Sequence, residues 1–448
     1  MNHVRRTSYG PHSPVVGERG ARTRRAIVAA ARATFEAKGF HATSVEDIAD
    51  AAGVSRAALY QYFESKEQLV VELIRGAAAD LLRVIRRLGP IGPTVVGYDN
   101  LHWWLGEWAW VQDKYEALYL QAAVVDPSEA SLRQLVADGI VSHVSALSPR
   151  LAAALGDDDI DIDGVATVLL ALLFRVNDYR QKGITRALSD DELLDALATF
   201  VQLALFPETP GHALAASAAP PRPARAAVTK PRRSRRPRGG KRIDGGNETA
   251  SKTAQRILDA AATTFAVRGF HATSVQDVLQ AAGAGRGTFY KYFDDKTQLL
   301  VMLAEQCMVR LEELAGRFLD VVEGDEDGKA LRDWLEECLA LHREYRGVLR
   351  VLLQEEARHP PLEELRLSSG AAILLAFDDA LARVYRNCPF DVRVGSLVLL
   401  ALLERGPDYA FGTVYDLADD RIVDILATLI ERGLLGRARP RSRRRAAP

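Results

Sequence analysis

Apolar residues recur at helical spacing along most of the chain. In the first such segment an amphipathic stripe follows the i, i+3, i+4, i+7, i+8 pattern of a helix. Its members are Ile27, Ala30, Ala31, Thr34 and Phe35. Residues 82–206 and 311–435 carry longer apolar-periodic stretches that are interrupted by short polar breaks. This pattern predicts an all-α protein.

Glycine and capping residues divide the N-terminal segment into three short helices. Thr43 with Glu46 matches a capping box at the start of the second helix. Gly53 follows that helix and predicts the tight turn at which two helices cross steeply. The third helix places Leu59 and Phe63 on its inner face, so its remaining side chains point outward. These features predict a helix-turn-helix module.

The chain is a duplication with an offset of 230 residues, from Gly39 to Gly269. The heptapeptide Gly-Phe-His-Ala-Thr-Ser-Val occurs in both places, and residues 21–70 match residues 251–300 at 24 of 50 positions without a gap. The second copy repeats the expected capping box as Thr273 with Gln276. The similarity continues into the later helices, where Val-Leu-Leu-Ala-Leu-Leu occurs twice at the same offset. A period of this length indicates two whole proteins joined in one chain.

Seven segments follow from the duplication. They are a disordered arm (1–20), a first helix-turn-helix domain (21–81), a first helical regulatory domain (82–206), a basic Pro/Ala/Arg-rich linker (207–250), a second helix-turn-helix domain (251–310), a second regulatory domain (311–435) and a basic tail (436–448). Apolar helices at 165–182, 191–206, 394–409 and 420–435 are too continuous for a solvent-facing surface, so we expect a partner to bury them.

Charge and composition narrow the class of protein. Residues 71–206 carry 11 Lys and Arg against 19 Asp and Glu, whereas residues 207–250 carry 10 Lys and Arg against 3 Asp and Glu. The excess of positive charge is therefore confined to selected segments, and only these are suited to binding a polyanion. The three cysteines are an odd number and do not have the spacing of metal ligands, which is typical of a protein from a reducing cytoplasm that has no disulfide framework. The longest apolar run, 165–174, is about half of what a bilayer requires. We expect a cytoplasmic protein, nucleoid-associated when it is bound to DNA, without membrane, cofactor or metal, and not an enzyme.

The residues 39–69, from Gly-Phe-His-Ala-Thr-Ser-Val to Ala-Ala-Leu-Tyr-Gln-Tyr-Phe-Glu-Ser-Lys-Glu-Gln-Leu, resemble the N-terminal module of the TetR (tetracycline-repressor-like) family. The second copy is similar to it throughout. The resemblance implies DNA contacts from the following residues: Thr43, Ser44, Ser55, Arg56, Ala57, Ala58, Tyr60, Gln61 and Lys66, then Thr273, Ser274, Gly285, Arg286, Gly287, Thr288, Tyr290, Lys291 and Lys296.

Different roles are implied within this set. Threonine and serine before the second helix, the tyrosines and the lysines would contact phosphates, and the other residues of the third helix would contact base edges. For Lys66 and Lys296 a local ion pair is the alternative. The resemblance also implies a helical regulatory domain with a small-molecule pocket and dimerisation helices.

Several alternatives remain open at this level. Trp103, Trp108 and Trp110 could line a ligand pocket or pack at a subunit face. The basic tracts at 230–242 and 437–445 could follow DNA or rest on acidic domains. The hypothesis is a ligand-responsive repressor that pairs its two modules within one chain on an imperfect palindrome. A homodimer with four modules and a constitutive architectural DNA-binding protein are the alternatives.

Overall fold

A computed structural model describes residues 18–40, 42–115, 130–156, 160–185, 188–214, 248–323, 325, 327–354, 360–384, 388–410 and 417–437. Helices connected by short turns make up this part of the chain, and no strand occurs within it. The all-α prediction is therefore confirmed.

The first copy contains nine helices among its described residues. They are α1 (Glu18–Lys38), α2 (Val45–Ala51), α3 (Arg56–Tyr62), α4 (Lys66–Arg86), α5 (Val95–Lys114), α6 (Ala130–Leu155), α7 (Ile162–Gln181), α8 (Asp190–Leu205) and α9 (Gly211–Leu214).

The described part of the second copy repeats this order. Its helices are α10 (Glu248–Arg268), α11 (Val275–Ala282), α12 (Arg286–Tyr292), α13 (Lys296–Glu323), α14 (Lys329–Glu344), α15 (Arg346–Gln354), α16 (Pro360–Val384), α17 (Val392–Ala410) and α18 (Asp419–Leu429), which continues as a π-helical turn (Ile430–Leu434).

The helix bounds differ from the expected segment boundaries in several places. The expected boundaries after residues 81 and 310 lie inside α4 and α13, because one long helix belongs to both the helix-turn-helix domain and the regulatory domain of each copy. Helix α1 begins inside the expected arm. Helix α9 lies inside the expected linker, where Ala213 and Leu214 are buried, so the start of that segment is packed rather than extended.

The predicted inner face of each helix-turn-helix module forms a small apolar core. In the first copy Ile27, Ala31, Phe35, Leu59 and Phe63 are each exposed by 3% or less. The equivalent residues of the second copy are equally buried and are Ile257, Ala261, Phe265, Phe289 and Phe293. Burying these side chains offsets the low intrinsic stability of helices of seven or eight residues.

The same tryptophan anchors α5 and α14 to the preceding long helix. The Trp104 indole N–H donates to the Val84 carbonyl over 3.0 Å, and the Trp334 indole N–H donates to the Leu314 carbonyl over 2.9 Å. Both donors and both acceptors lie 230 residues apart. This repetition supports a scaffold role for the two tryptophans, as their presence in both copies indicates.

One ion pair occupies equivalent positions in the two copies with its charges exchanged. In the first copy Lys114 Nζ lies 2.7 Å from Asp80 Oδ2, and the Tyr115 hydroxyl donates to the same oxygen over 2.9 Å. In the second copy Arg310 Nη1 lies 2.6 Å from Glu344 Oε2. The anion is therefore on α4 in the first copy and on α14 in the second. We call these contacts the α4–α5 joint and the α13–α14 joint.

The described residues form two compact units. The first comprises residues 1–157 and 177–184, and the second comprises residues 158–176 and 185–448. The second unit therefore contains most of the last two long helices of the first copy together with the second copy.

Close contacts inside the second unit join helices of the two copies. The Cα of Gly433 lies so near α8 that an added Cβ would be 2.5 Å from a ring carbon of Phe200. A Cβ on Gly164 of α7 would be 2.2 Å from the side chain of Ile425 on α18. The Arg421 guanidinium also donates to Asp161 over 2.6 Å. The long apolar helices predicted near residues 165–206 and 394–435 are thus buried against each other in this unit.

Candidate nucleic-acid interface

A serine cap starts the second helix of each module. The Ser44 hydroxyl oxygen accepts the Asp47 amide over 3.0 Å, and the Asp47 carboxylate accepts the Ser44 amide over 2.8 Å. Ser274 and Asp277 repeat the arrangement. The capping boxes expected from Thr43 with Glu46 and from Thr273 with Gln276 are therefore wrong by one residue. The contact of Asp47 with Lys38 and the bonds from Ser44 hold the Asp47 pKa far below its usual value.

A glycine with positive φ makes the turn between the second and third helices. Gly53 has φ of 65° and Gly283 has φ of 59°, a left-handed conformation that suits a residue without a Cβ. The amide after each glycine donates back to the second helix, Val54 to Ala49 and Ala284 to Leu279, over 3.0 Å in both cases. This turn fixes the direction of the third helix, which we call the recognition helix (α3 and α12).

The recognition helices start with different caps. The Ser55 hydroxyl oxygen accepts the Ala58 amide over 3.1 Å, which satisfies one of the unpaired donors at the start of α3. Gly285 occupies the same position before α12 and has no side chain with which to cap it. The backbone conformations are similar, with φ and ψ of −73° and 153° at Ser55 and of −90° and 158° at Gly285.

Each recognition helix turns one face toward solvent. Tyr60 is 41% exposed and Tyr290 is 53% exposed. The other exposed or half-exposed members of the predicted contact set on these helices are Ser55, Arg56, Ala57, Ala58, Gln61, Gly285, Arg286, Gly287, Thr288 and Lys291. Small residues near the N-terminus of such a helix allow close approach to a DNA groove, with long side chains at its edge.

Neighbouring side chains orient the two arginines differently. The Arg56 guanidinium lies over the Tyr60 ring, 5.6 Å from its centroid, and interaction with Tyr60 raises the pKa of Arg56. Arg286 Nε instead donates to Gln276 Oε1 on α11 over 3.3 Å. Glu46, the residue equivalent to Gln276, also acts electrostatically on Arg56. The sequence interpretation missed this orienting position, although its exposed place in the first turn of the second helix was visible.

The threonines at the start of the second helix point inward. Thr43 is 2% exposed and its hydroxyl donates to the Gly39 carbonyl over 2.7 Å. Thr273 is 1% exposed and donates to the Gly269 carbonyl over the same distance. These hydroxyls close the preceding turn, so each already has an acceptor inside its module. Ser44 and Ser274 are exposed at this end of the helix, and their hydroxyls donate to the Asp47 and Asp277 carboxylates over 2.7 and 2.6 Å.

Lys66 and Lys296 also bind inside the module. Lys66 Nζ donates to the carbonyls of Phe40 and Thr43 over 2.7 and 2.9 Å. Lys296 Nζ donates to those of Phe270 and Thr273 over 2.7 Å in both cases. Neither the expected phosphate contact nor the alternative ion pair describes this geometry. Each ammonium instead ties the start of the fourth helix to the loop before the second helix.

The three tryptophans of α5 do not line one pocket. Trp108 is 2% exposed and packs with its ring centroid 6.0 Å from that of Trp104. Trp103 and Trp110 are 45% and 62% exposed and lie near Arg87 and Lys114 respectively. Trp103 and Trp110 are seven residues apart and share the exposed face of α5, whereas Trp108, five residues from Trp103, faces the core, so the three side chains do not come together at one site.

A cavity lies instead inside the regulatory part of the second copy. Helices α13 to α17 enclose it, and most of its wall is apolar, with Trp334 and Phe377 as its largest side chains. Three polar residues join the wall, namely His342, Arg366 and Glu404. Sequence reasoning missed this site because its residues come from five separate helices.

The geometry defines two helix-turn-helix modules, each with a capped second helix, a glycine turn and an exposed third helix. A family model described as "Bacterial regulatory proteins, tetR family" matches residues 27–73 and 257–303. The chain therefore carries the DNA-binding domain of the TetR family twice, as a tandem fusion of two copies would.

Relatives with curated names agree with this assignment. The chain is 33% identical over 138 residues to the HTH-type transcriptional repressor KstR2 of Rhodococcus jostii. The matched region is 31% of this chain and 63% of the relative. The chain is 48% identical over 52 residues to the HTH-type transcriptional regulator RutR of Escherichia coli, covering 12% and 24% respectively. The chain thus spans less than two thirds of the length of these relatives. Their names are those of regulators, which agrees with the expectation that this chain is not an enzyme.

None of the described helices is both long enough and apolar enough to cross a membrane.

Proposed function

We propose that the chain is a small-molecule-responsive transcriptional repressor that binds one operator with both of its recognition helices. The two exposed faces, which differ at equivalent positions, carry this proposal. Gln61 on α3 corresponds to Lys291 on α12, and Ala57 and Ala58 correspond to Gly287 and Thr288. Glutamine pairs best with adenine and lysine with guanine edges, so the preferred half-sites are unequal.

The proposed contacts divide by role. Ser44, Ser274, Tyr60 and Tyr290 contact phosphates and set the position of each module. Base edges are contacted by residues of the two recognition helices, namely Arg56, Ala57, Ala58 and Gln61, and Arg286, Gly287, Thr288 and Lys291, while Ser55 and Gly285 lie at the DNA as the caps of these helices. The hydroxyls of Thr43 and Thr273 and the ammonium groups of Lys66 and Lys296 are left out, because they bind inside the modules.

The pairing of modules within one chain is supported by the contacts of the second unit. Members of this family that bind as two chains place their recognition helices about 34–36 Å apart, one turn of DNA. Here α7 and α8 of the first copy pack against α18 and the following π-helical turn of the second copy. This packing gives a single chain a surface that would otherwise join two chains.

Response to a small molecule is supported by the apolar cavity with its few polar groups, the usual character of a ligand site. Occupancy would favour a state of the regulatory domains in which the recognition helices are misplaced for the operator. A coupling of about 1–3 kcal/mol is the usual scale for such an effect. We place this activity in the cytoplasm, at the nucleoid.

Selection of binding sites from random duplex DNA tests the proposal. The unmodified chain should select an imperfect palindrome with unequal half-sites, and Lys291→Gln should make the two halves more alike. Gln61→Lys is the matched change in the first copy and should also make the two half-sites more alike, by changing the half-site that the first copy binds. A strictly palindromic site for the unmodified chain would contradict pairing within one chain.

Two further measurements separate the alternatives. Light scattering of the DNA-free protein should give the mass of one chain, 49.1 kDa. Twice that mass would favour a homodimer with four modules. A screen in which every small molecule leaves the operator affinity unchanged would favour a constitutive architectural DNA-binding protein. The basic tracts at 230–242 and 437–445 lie outside the described residues, except for Arg437, which donates to the Asp325 carbonyl over 2.8 Å.

A further inference from the structure

The cavity of the second copy contains one residue that binds the first copy. Glu404 belongs to α17 and forms part of the cavity wall. Its Oε2 lies 2.6 Å from both Nε and Nη2 of Arg175, which belongs to α7 of the first copy. Both residues are in the second unit. The Arg175 side chain is 3% exposed and that of Glu404 is 20% exposed, so the pair is largely shielded from water.

The duplication does not repeat this ion pair. At the offset of 230 residues, Phe174 takes the place of Glu404 in the first copy and Arg405 takes the place of Arg175 in the second. The first copy therefore cannot present a carboxylate from this position. The cavity of the second copy is thus connected by charge to the first copy through a carboxylate that the duplication does not repeat.

The polar groups of the wall indicate the chemistry of a ligand. Arg175 already neutralises Glu404, and Arg366 and His342 add hydrogen-bond donors to an otherwise apolar surface. An apolar molecule with one carboxylate matches this set, because its carboxylate would accept hydrogen bonds from these donors while its body fills the apolar space. A primary amine with the same apolar body would be repelled by Arg366, because both groups carry a positive charge.

We propose that the cavity binds an apolar carboxylate, and that the Glu404–Arg175 pair transmits its occupancy to the first copy. This inference rests on the proposed function, since it names the ligand class and the route of that regulation. A ligand carboxylate beside Glu404 repels it, which weakens the hold of Glu404 on Arg175. Weakening the ion pair of a buried guanidinium is costly, and this cost favours a shift of α7. The helix of the first copy therefore responds to a ligand held by the second.

Binding of the ligand tests its chemical class. Calorimetry of the full chain with octanoate, octanol and octylamine compares one chain length with three head groups. Octanoate should bind at least tenfold more tightly than the other two. Tighter binding of octylamine or octanol, or failure of short and medium alkanoates to bind, would overturn the assignment to a carboxylate.

Operator affinity with and without octanoate tests the route. The unmodified chain should lose about 5–150-fold in affinity for its operator when octanoate saturates it, the usual range of allosteric coupling. The double variant Arg175→Met with Glu404→Leu replaces the pair by apolar side chains, a change that folded proteins commonly tolerate. It should retain octanoate binding within tenfold and lose less than about twofold in operator affinity when saturated. Arg405→Met is the matched control in the second copy and should respond like the unmodified chain.

The outcomes distinguish the two proposals. A double variant that binds octanoate and still releases the operator as the unmodified chain does would overturn transmission through the pair and leave ligand-responsive repression intact. Octanoate binding without any change of operator affinity in the unmodified chain would overturn both the route and the regulation by this ligand. If the double variant does not fold, the single change Glu404→Gln applies the same test while retaining a hydrogen-bond acceptor for Arg175.

Discussion

Two lysines of the second module should respond in opposite ways to the same substitution. Lys296 Nζ donates to the Phe270 and Thr273 carbonyls over 2.7 Å each, and it lies 4.3 Å from the Phe270 ring centroid. Desolvation lowers its pKa. Lys291 is exposed on the recognition helix. We therefore predict that Lys296→Met destabilises the module without removing a phosphate contact, whereas Lys291→Met weakens a contact with DNA without destabilising the module.

The size of the stability effect follows from the contacts. Hydrogen bonds from a charged donor contribute about 1.5–3 kcal/mol and an exposed cation–π contact contributes about 0.5–1 kcal/mol. Methionine retains the apolar stem of the lysine, and water reaches part of the Lys296 ammonium, so we expect a loss of about 1–3 kcal/mol rather than the full sum. This loss corresponds to amide exchange about 5–150-fold faster in the module.

Hydrogen exchange and salt titration measure the two effects separately. Amides of α11 and α12 should exchange faster in Lys296→Met and at an unchanged rate in Lys291→Met. Lys291→Met should weaken binding and relax the base preference at one position of its half-site, whereas the slope of log affinity against log salt should stay constant in Lys296→Met. Unchanged exchange together with a smaller salt slope in Lys296→Met would refute the structural role and restore the phosphate contact that the family resemblance implies.

Three other predictions concern caps, acid and thiols. Ser55→Ala should destabilise α3 by about 1 kcal/mol, whereas Gly285→Ser should stabilise α12 by a few tenths of a kcal/mol, since an added Cβ meets no atom within 4 Å; hydrogen exchange measures both. Because the Asp47 pKa is lower in the folded chain than its usual value of about 4, its contribution is complete at neutral pH and is lost as the pH falls below that value. Asp47→Asn should therefore flatten the acid side of a plot of unfolding free energy against pH, and an unchanged slope would contradict this. Burial raises the pKa of Cys388 to about 11, and it is the least buried of the three thiols, so iodoacetamide at neutral pH should modify it slowly but first, as mass spectrometry would show.

Sequence periodicity predicted the apolar core and the recognition helices correctly because both follow from local rules. Leu59 and Phe63 are buried, and Tyr60 and Tyr290 are exposed, as helical spacing requires. The last apolar helices of each copy were also placed to within three residues when the π-helical turn that continues α18 is included. The two matches of the family model confirm the duplication of the DNA-binding domain.

The errors arose where a single residue step or a distant contact decides the outcome. Threonine and serine are adjacent before each second helix, and only the backbone conformation determines that Ser44 is the cap while Thr43 turns inward. The inward path of Lys66 depends on carbonyls more than twenty residues away. The Arg175–Glu404 pair joins residues 229 positions apart, which no local pattern can indicate.

The exchanged charges at the α4–α5 and α13–α14 joints bear on how a duplicated chain folds. Two copies this similar risk exchanging helices during synthesis, a common failure of repeated domains. An exchange of α5 for α14 would bring Asp80 against Glu344 and Arg310 against Lys114, so each hybrid joint would be repelled by like charge. We infer that the opposite polarity lets each half recognise its own segments. Giving the first joint the polarity of the second, with Asp80→Arg and Lys114→Glu, should increase the yield of swapped oligomers on refolding, and an unchanged yield would remove this explanation.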